Sequence, residues 1–177
     1  MAVSKPKTLG RLAVPLVMPE RPQHADAIET LVDLGFGPER FRKTAYRLRD
    51  GIAPIAGLGL VALLGEQLVG TIRFWEVKLE NGPKTLLLGP LAIHPDRQGQ
   101  GIGRALMEKG LGLARDTGWQ AVVLVGDAPY YNRFGFRRDL AQNLTLPGPV
   151  DPQRFLGLEL TPGALHGIQG LVGRAEI

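Results

Sequence analysis

Residues 86 to 106, LLLGPLAIHPDRQGQGIGRAL, restrict the fold more than any other stretch of the chain. An apolar run from Leu86 to Ile93 reads as a buried strand and stops at His94-Pro95-Asp96. Three alternating glycines follow (Gly99, Gly101, Gly103), and then a helical pattern begins. A strand, a glycine-rich turn and a helix N-terminus together present unpaired backbone N–H groups and the positive end of a helix dipole. Without Cβ atoms the glycines let an anion come close to that backbone. On the glycines alone, an ordinary turn and a phosphate cradle both remain open.

Composition narrows the classes. The 177 residues suffice for one domain with a real core, expected over 11–177 behind a flexible N-terminal tail of residues 1–10. No apolar run reaches the ~18 residues of a membrane-spanning helix, and no apolar segment follows Lys5 and Lys7 as in a signal peptide. The absence of cysteine excludes disulfides, thiolate nucleophiles and thiolate metal sites, and the expected compartment is cytoplasmic. No other metal-ligating constellation is visible. The net charge is +4, but the basic residues are scattered without a nucleic-acid motif, so the bias fits a small polyanionic ligand and not nucleic acid.

In chain order, Arg11–Met18 reads as an edge strand, since Pro15 suits only an edge. A helix from about Gln23 carries Ala27, Ile28, Leu31, Val32 and Leu34 and stops at Gly35. A second helix is expected over Pro38–Asp50, with Arg40, Arg42, Arg47 and Arg49 on its exposed side. Leu58–Leu64 and Leu68–Leu79 form a hairpin about Gly65-Glu66, and Asn81-Gly82-Pro83 turns into the strand at Leu86. A helix over Gln98–Thr117 follows, in which Gly110 and Gly112 imply close packing on the sheet, and Gly118 ends it. Ala121–Val125 is a strand parallel to the one at Leu86, because one helix crosses between them. A short helix over Ala128–Phe134 precedes closing strands at Leu144–Leu146 and Phe155–Thr161. The expected fold is a mixed α/β domain of the α+β type, with a mostly antiparallel sheet, flanking helices and one parallel βαβ step.

Three phosphate loops compete for the glycines. A Walker A loop fails, for no Lys-Ser or Lys-Thr pair follows Gly103. A dinucleotide fingerprint requires G-x-G-x-x-G early in a Rossmann half, whereas a hairpin precedes these glycines; Asp127, near where a ribose-binding acid falls, keeps that reading open. The third match is Gln98-x-x-Gly101-x-Gly103 directly after an apolar strand ending in His-Pro. This resembles the Q/R-x-x-G-x-G/A acyl-CoA loop of the GNAT superfamily of N-acyltransferases. Tyr130-Tyr131-Asn132-Arg133-Phe134-Gly135-Phe136 resembles that family's aromatic-Tyr-x-x-x-Gly-Phe segment, and the element order agrees over residues 11 to 140. The C-terminal part is similar to a bacterial subgroup of predicted acetyltransferases.

The resemblance implies a sheet whose two central parallel strands separate to admit pantetheine. Leu91, Ala92 and Ile93 would line that edge, while Arg97, Gln98, Gly99, Gln100, Gly101, Ile102, Gly103 and Arg104 would hold the CoA pyrophosphate. Gly89-Pro90 supports the splay independently, since a mid-strand proline cannot donate to the ladder and implies a bulge. A freed N–H just beyond it, on Leu91 or a neighbour, would polarise the thioester carbonyl. Tyr131 matches the family's general acid; Tyr130 and Phe134 read as core packing, and His94 as structural. The base is Glu76 or Asp127, with Glu76 preferred because Asp127 looks first like a helix N-cap. The implied activity is acetyl transfer from acetyl-CoA to a primary amine of a small molecule or peptide, by a monomer or homodimer. The alternative is a non-catalytic acyl-CoA sensor or interaction module.

Overall fold

The computed structural model describes residues 13–176. The expected tail, residues 1–10, and the start of the first expected strand, Arg11 and Leu12, lie outside the described residues. Strands β1 (Leu16–Pro19), β2 (Leu60–Leu64), β3 (Gln67–Leu79), β4 (Thr85–Ile93), β5 (Ala121–Val125) and β7 (Phe155–Glu159) lie side by side in the order β1-β2-β3-β4-β5-β7. All these pairings are antiparallel except β4 with β5, where Thr85, Leu86 and Leu87 face Ala121, Val122 and Val123 in parallel. The crossover between them is α3 (Ile102–Asp116), as the single intervening helix required.

At 13 residues β3 outruns β2, and the surplus edge takes a second partner. That partner is β8 (Gly170–Arg174), whose Val172 to Arg174 pair with Leu79 to Val77; β8 also pairs with the two-residue β6 (Leu144–Thr145). Glu159 directs the chain there, accepting hydrogen bonds from the N–H groups of Gly163 and Leu165, both 2.9 Å.

Both faces of the sheet are covered, which is why β5 is apolar at every position. Val122 and Leu124 pack with Phe74, Leu86 and the α3 residues Leu106 and Met107. Ala121 and Val123 turn the other way, to Trp75, Leu87, Phe155 and Val172. Helix α1 (Ala25–Phe36) covers that second face near β2 through Ile28, Leu31 and Val32. It runs through the expected stop at Gly35 to Phe36 and is capped by Gly37, whose φ of 75° suits glycine.

The expected helix over Pro38–Asp50 is broken. Pro38–Arg42 is a 3-10 turn, Lys43 is extended (φ −70°, ψ 142°), and α2 covers only Thr44–Arg47. The break rearranges the expected faces: Phe41 is exposed and Arg40 and Arg49 are buried, while Leu48 is buried and Arg42 and Arg47 are exposed as expected. Arg40 tolerates this because Asp33, Glu29 and the Tyr46 hydroxyl take its guanidinium N–H groups. Burial opposes its charge, yet those hydrogen bonds outweigh burial and hold its pKa above the ordinary value. The α3 glycines also divide. A Cβ on Gly110 would lie 2.8 Å from the Phe74 ring, whereas one on Gly112 would meet nothing within 4 Å, so only Gly110 packs closely.

Candidate active site

The parallel ladder between β4 and β5 ends at Leu87 and Val123. Beyond it the strands part, and β4 bulges on its other side. Ile72 pairs with Leu91 and Phe74 with Leu88, so Gly89 and Pro90 together face Arg73. The Trp75 indole N–H donates to the freed Gly89 carbonyl at 2.7 Å. An open cleft of about 1180 Å³ occupies the gap, larger than the ~300–1,000 Å³ usual for a drug-sized ligand.

Backbone direction on the cleft edge follows from one bond. His94 N–H donates to the Val69 carbonyl of β3 at 2.8 Å. Peptide groups alternate along an antiparallel strand, so Ala92 also points to β3, while Leu91 and Ile93 present N–H and C=O to the gap. Leu91 and Ile93 line the cleft. Ala92 does not; its side chain packs against α1, which corrects the expectation that all three residues face it.

The loop after β4 begins as a 3-10 turn, Pro95–Arg97, closed by Asp96 N–H donating to His94 Nδ1 at 3.2 Å, the structural role expected of His94. Gly99 and Gly101 take φ of 75° and 83°, in the left-handed region glycine tolerates. Gly101 caps α3 with no side chain, and the first helical bond is Ala105 N–H to the Gly101 carbonyl. The amides of Ile102, Gly103 and Arg104 thus have no partner within the helix. Gln98, Gly99, Gly101, Ile102, Gly103, Arg97 and Arg104 all line the cleft. Gln100 does not, its amide turning back to the Asp96 carbonyl at 3.4 Å. Arg104 is 75% exposed and its Nε donates to Glu108 at 2.7 Å, whereas Arg97 enters no ion pair among the described residues. Arg133, at a variable position of the aromatic segment, and Arg154, outside any motif, add positive charge to the same walls.

Opposite the loop stands α4 (Ala128–Tyr131), continued by a 3-10 turn to Phe134 and ended by Gly135 at φ 91°. Tyr131 lines the cleft with its ring edge-on to Tyr130 and Phe136. Burial, with Tyr130 and Asp127 adding to it and Arg154 opposing, pushes its hydroxyl up to about 12. Gly126 makes room for that ring: a Cβ there would stand 2.3 Å from Tyr131 Cε2. Tyr130 is not the core residue expected. It lines the cleft, and its hydroxyl lies 2.6 Å from where a Cβ of Gly103 would be, so Gly103 lets α4 close on the start of α3.

Glu76 lies outside the cleft. It sits opposite Leu86, where the sheet is still paired, and its Oε1 accepts from Lys78 Nζ at 2.6 Å. Asp127 does line the cleft. Although at the N-cap of α4, its side chain makes no capping bond, because its carbonyl receives the N–H groups of Tyr130 and Tyr131. Among the described residues no three His, Cys, Asp or Glu side chains converge as metal ligands, and no helix is long and apolar enough to cross a membrane.

A mixed sheet that opens between its parallel neighbours β4 and β5, with a glycine-capped helix N-terminus at the opening, is the architecture of the GNAT acetyltransferases. The chain belongs to that family. Residues 56–138 match the acetyltransferase (GNAT) domain. The sequence is 33% identical over 160 residues to YhbS of Escherichia coli (strain K12), an uncharacterized N-acetyltransferase, covering 89% of this chain and 94% of that protein. The fold is similar to the crystal structure of E. coli YhbS in complex with CoA, with a TM-score of 0.79, 30% identity and coverage of 99% and 94%. A GNAT acetyltransferase from Brucella melitensis in complex with acetyl-CoA superimposes with a TM-score of 0.68 at 29% identity, over 92% and 97% of the two chains.

Proposed function

We propose that the chain transfers the acetyl group of acetyl-CoA to a primary amine of a small molecule or peptide by direct attack on the thioester. The observation that carries this reading is the meeting of the free amides of Ile102 to Arg104, the unpaired edge of Leu91 and Ile93, and Tyr131 in one cleft. The amides and the α3 dipole take the pyrophosphate, and Arg97, Arg133 and Arg154 add charge-assisted contacts. Pantetheine pairs with Leu91 and Ile93 as an added strand would. Relatives crystallised with CoA and acetyl-CoA support this cosubstrate.

The amine nitrogen bonds to the thioester carbonyl carbon, and Leu91 N–H stabilises the oxyanion that forms. As the tetrahedral intermediate collapses the C–S bond breaks, the electron pair leaves on sulfur, and Tyr131 protonates the thiolate. A tyrosine held at about 12 stays protonated across the neutral range, as an acid in this step must. The proton lost by the amine goes to Asp127, the uncapped carboxylate in the cleft, and not to Glu76 beside Lys78.

A thiol-release assay with acetyl-CoA over a panel of amines tests the reading, with calorimetry to measure acetyl-CoA binding. Turnover that falls about 10²-fold or more in Tyr131→Phe, with acetyl-CoA affinity retained, is expected. Unchanged turnover refutes the acid. Binding with no turnover on any amine identifies a sensor module instead.

A further inference from the structure

Arg40, Arg47, Arg49 and Arg73 gather where the broken helix meets β3 and the bulge of β4, and three of them are partnered. Arg40 Nε donates to Asp33 at 2.7 Å and its other amines to Glu29 and the Tyr46 hydroxyl. Arg73 pairs with Glu20 and Glu29, and Arg47 donates to the Pro147 carbonyl. Arg49 is only 9% exposed, yet it forms no ion pair among the described residues, and its buried Nε has no hydrogen-bond partner. Its guanidinium lies over the rings of Tyr46 (4.7 Å) and Trp75 (5.7 Å), which soften the charge but accept no bond in its plane. Burial lowers its pKa to about 10, partly offset by Tyr46. A buried cation with an orphaned N–H is costly to keep unless something binds it.

Its position indicates what binds. Arg49 Nη2 lies 3.0 Å from where a Cβ of Gly89 would stand, against the bulge that precedes Leu91. With Tyr46 and Pro90 it lines both the main cleft and an adjoining pocket of about 470 Å³ on the side of α2. Two acids also line that pocket: Glu29, already taken by Arg40 and Arg73, and the exposed Asp50.

We infer that Arg49 binds a carboxylate carried by the acceptor, so that the acceptor class is a small amino acid-like amine. This rests on the acetyl-transfer reading above and specifies its second substrate. Nε itself is enclosed, so the carboxylate would pair with the two Nη groups at the end of the guanidinium, a planar fork that lysine could not replace. A cosubstrate anchored at Gln98–Arg104 fills the main cleft, so an amine entering by the smaller pocket meets the thioester at Pro90–Leu91 with its carboxylate on Arg49. An acyl chain bearing a carboxylate would reach Arg49 from the cleft side instead.

The test titrates the twenty amino acids and their carboxamides into CoA-loaded protein by calorimetry and assays the same panel for thiol release with acetyl-CoA. At least one amino acid is expected to bind and react about 10- to 100-fold better than its carboxamide. Arg49→Gln removes that preference and Arg49→Lys recovers only part of it, while both variants keep the circular dichroism spectrum and acetyl-CoA affinity. Turnover that ignores the carboxylate, an equal loss on acid and amide in Arg49→Gln, or no binding by any amino acid overturns the inference and leaves the acetyl-transfer reading intact. Arg49-dependent preference for succinyl-CoA over acetyl-CoA also overturns it, by placing the carboxylate on the acyl chain. Amino acid binding without turnover supports the site and refutes the reaction; failure to bind acetyl-CoA refutes both.

Discussion

Two glycines separated by one residue on α3 should respond to the same substitution with opposite sign. In a helix interior, Gly→Ala is intrinsically stabilising by about 1 kcal/mol, because the alanine backbone has less freedom to lose. At Gly112 nothing lies within 4 Å of the new methyl, so that gain stands. At Gly110 the methyl would lie 2.8 Å and 2.9 Å from Cε2 and Cζ of Phe74, about 0.7 Å inside the ~3.5 Å at which carbons attract. Phe74 is fully buried between β3 and α3 and has no room to retreat. Overpacking of this kind costs about 1–3 kcal/mol, so Gly110→Ala should net about 0–2 kcal/mol of destabilisation after the helical gain. Urea unfolding followed by tryptophan fluorescence measures both variants against the parent, with equal m-values as the condition for comparing midpoints. At this chain length the gain at Gly112 corresponds to a rise of about 2–4 °C in Tm. If both substitutions stabilise alike, α3 does not press on Phe74 through Gly110, and the account of the helix–sheet contact fails.

Gly126→Ala places a methyl inside the Tyr131 ring and should lower the rate of acetyl transfer about 10²-fold by displacing the proposed acid, with acetyl-CoA affinity much less affected; an unchanged rate would show that the ring position does not matter. For alkaline pH the sign follows from Tyr131. Its folded pKa of about 12 exceeds the ~10 of the unfolded chain, so between these values the folded state holds the proton more tightly and stability falls as pH rises. Up to about 2–3 kcal/mol should be lost from pH ~10 to ~12, a loss that Tyr131→Phe removes when stability is followed by urea midpoints. Arg97→Gln and Arg133→Gln should each raise the acetyl-CoA Kd roughly 10-fold and reduce its salt dependence, measured by calorimetry; affinity independent of both would take the phosphates off this wall.

The glycine loop was legible because its geometry is local. Gln98 to Gly103 need only a preceding strand, two positive-φ glycines and a helix start, all written within twenty residues of sequence. Continuous apolarity marked the run from Leu86 to Ile93 as a buried strand, and Gly89-Pro90 marked its bulge, since each rests on a property of the chain at that point. The C-terminal strand β8 was not legible: Gly170–Arg174 has little strand character and forms because β3 leaves an unpaired edge a hundred residues earlier. The remaining surprises also have their causes elsewhere in the chain. Glu76 is withdrawn because the sheet is still closed at Leu86, and Tyr130 reaches the cleft because Gly103 lets α4 approach α3. An arginine-rich stretch reads as solvated until Asp33, Glu29 and the aromatic faces of Tyr46 and Trp75 are brought round it. The sequence by itself determined the glycine loop at the start of α3, the order of elements from β2 to β5 and the aromatic turn that carries Tyr131. Only the tertiary structure decided which carboxylate meets the cleft and which arginine is buried there without a partner, because burial and pairing are made by residues far apart in the chain.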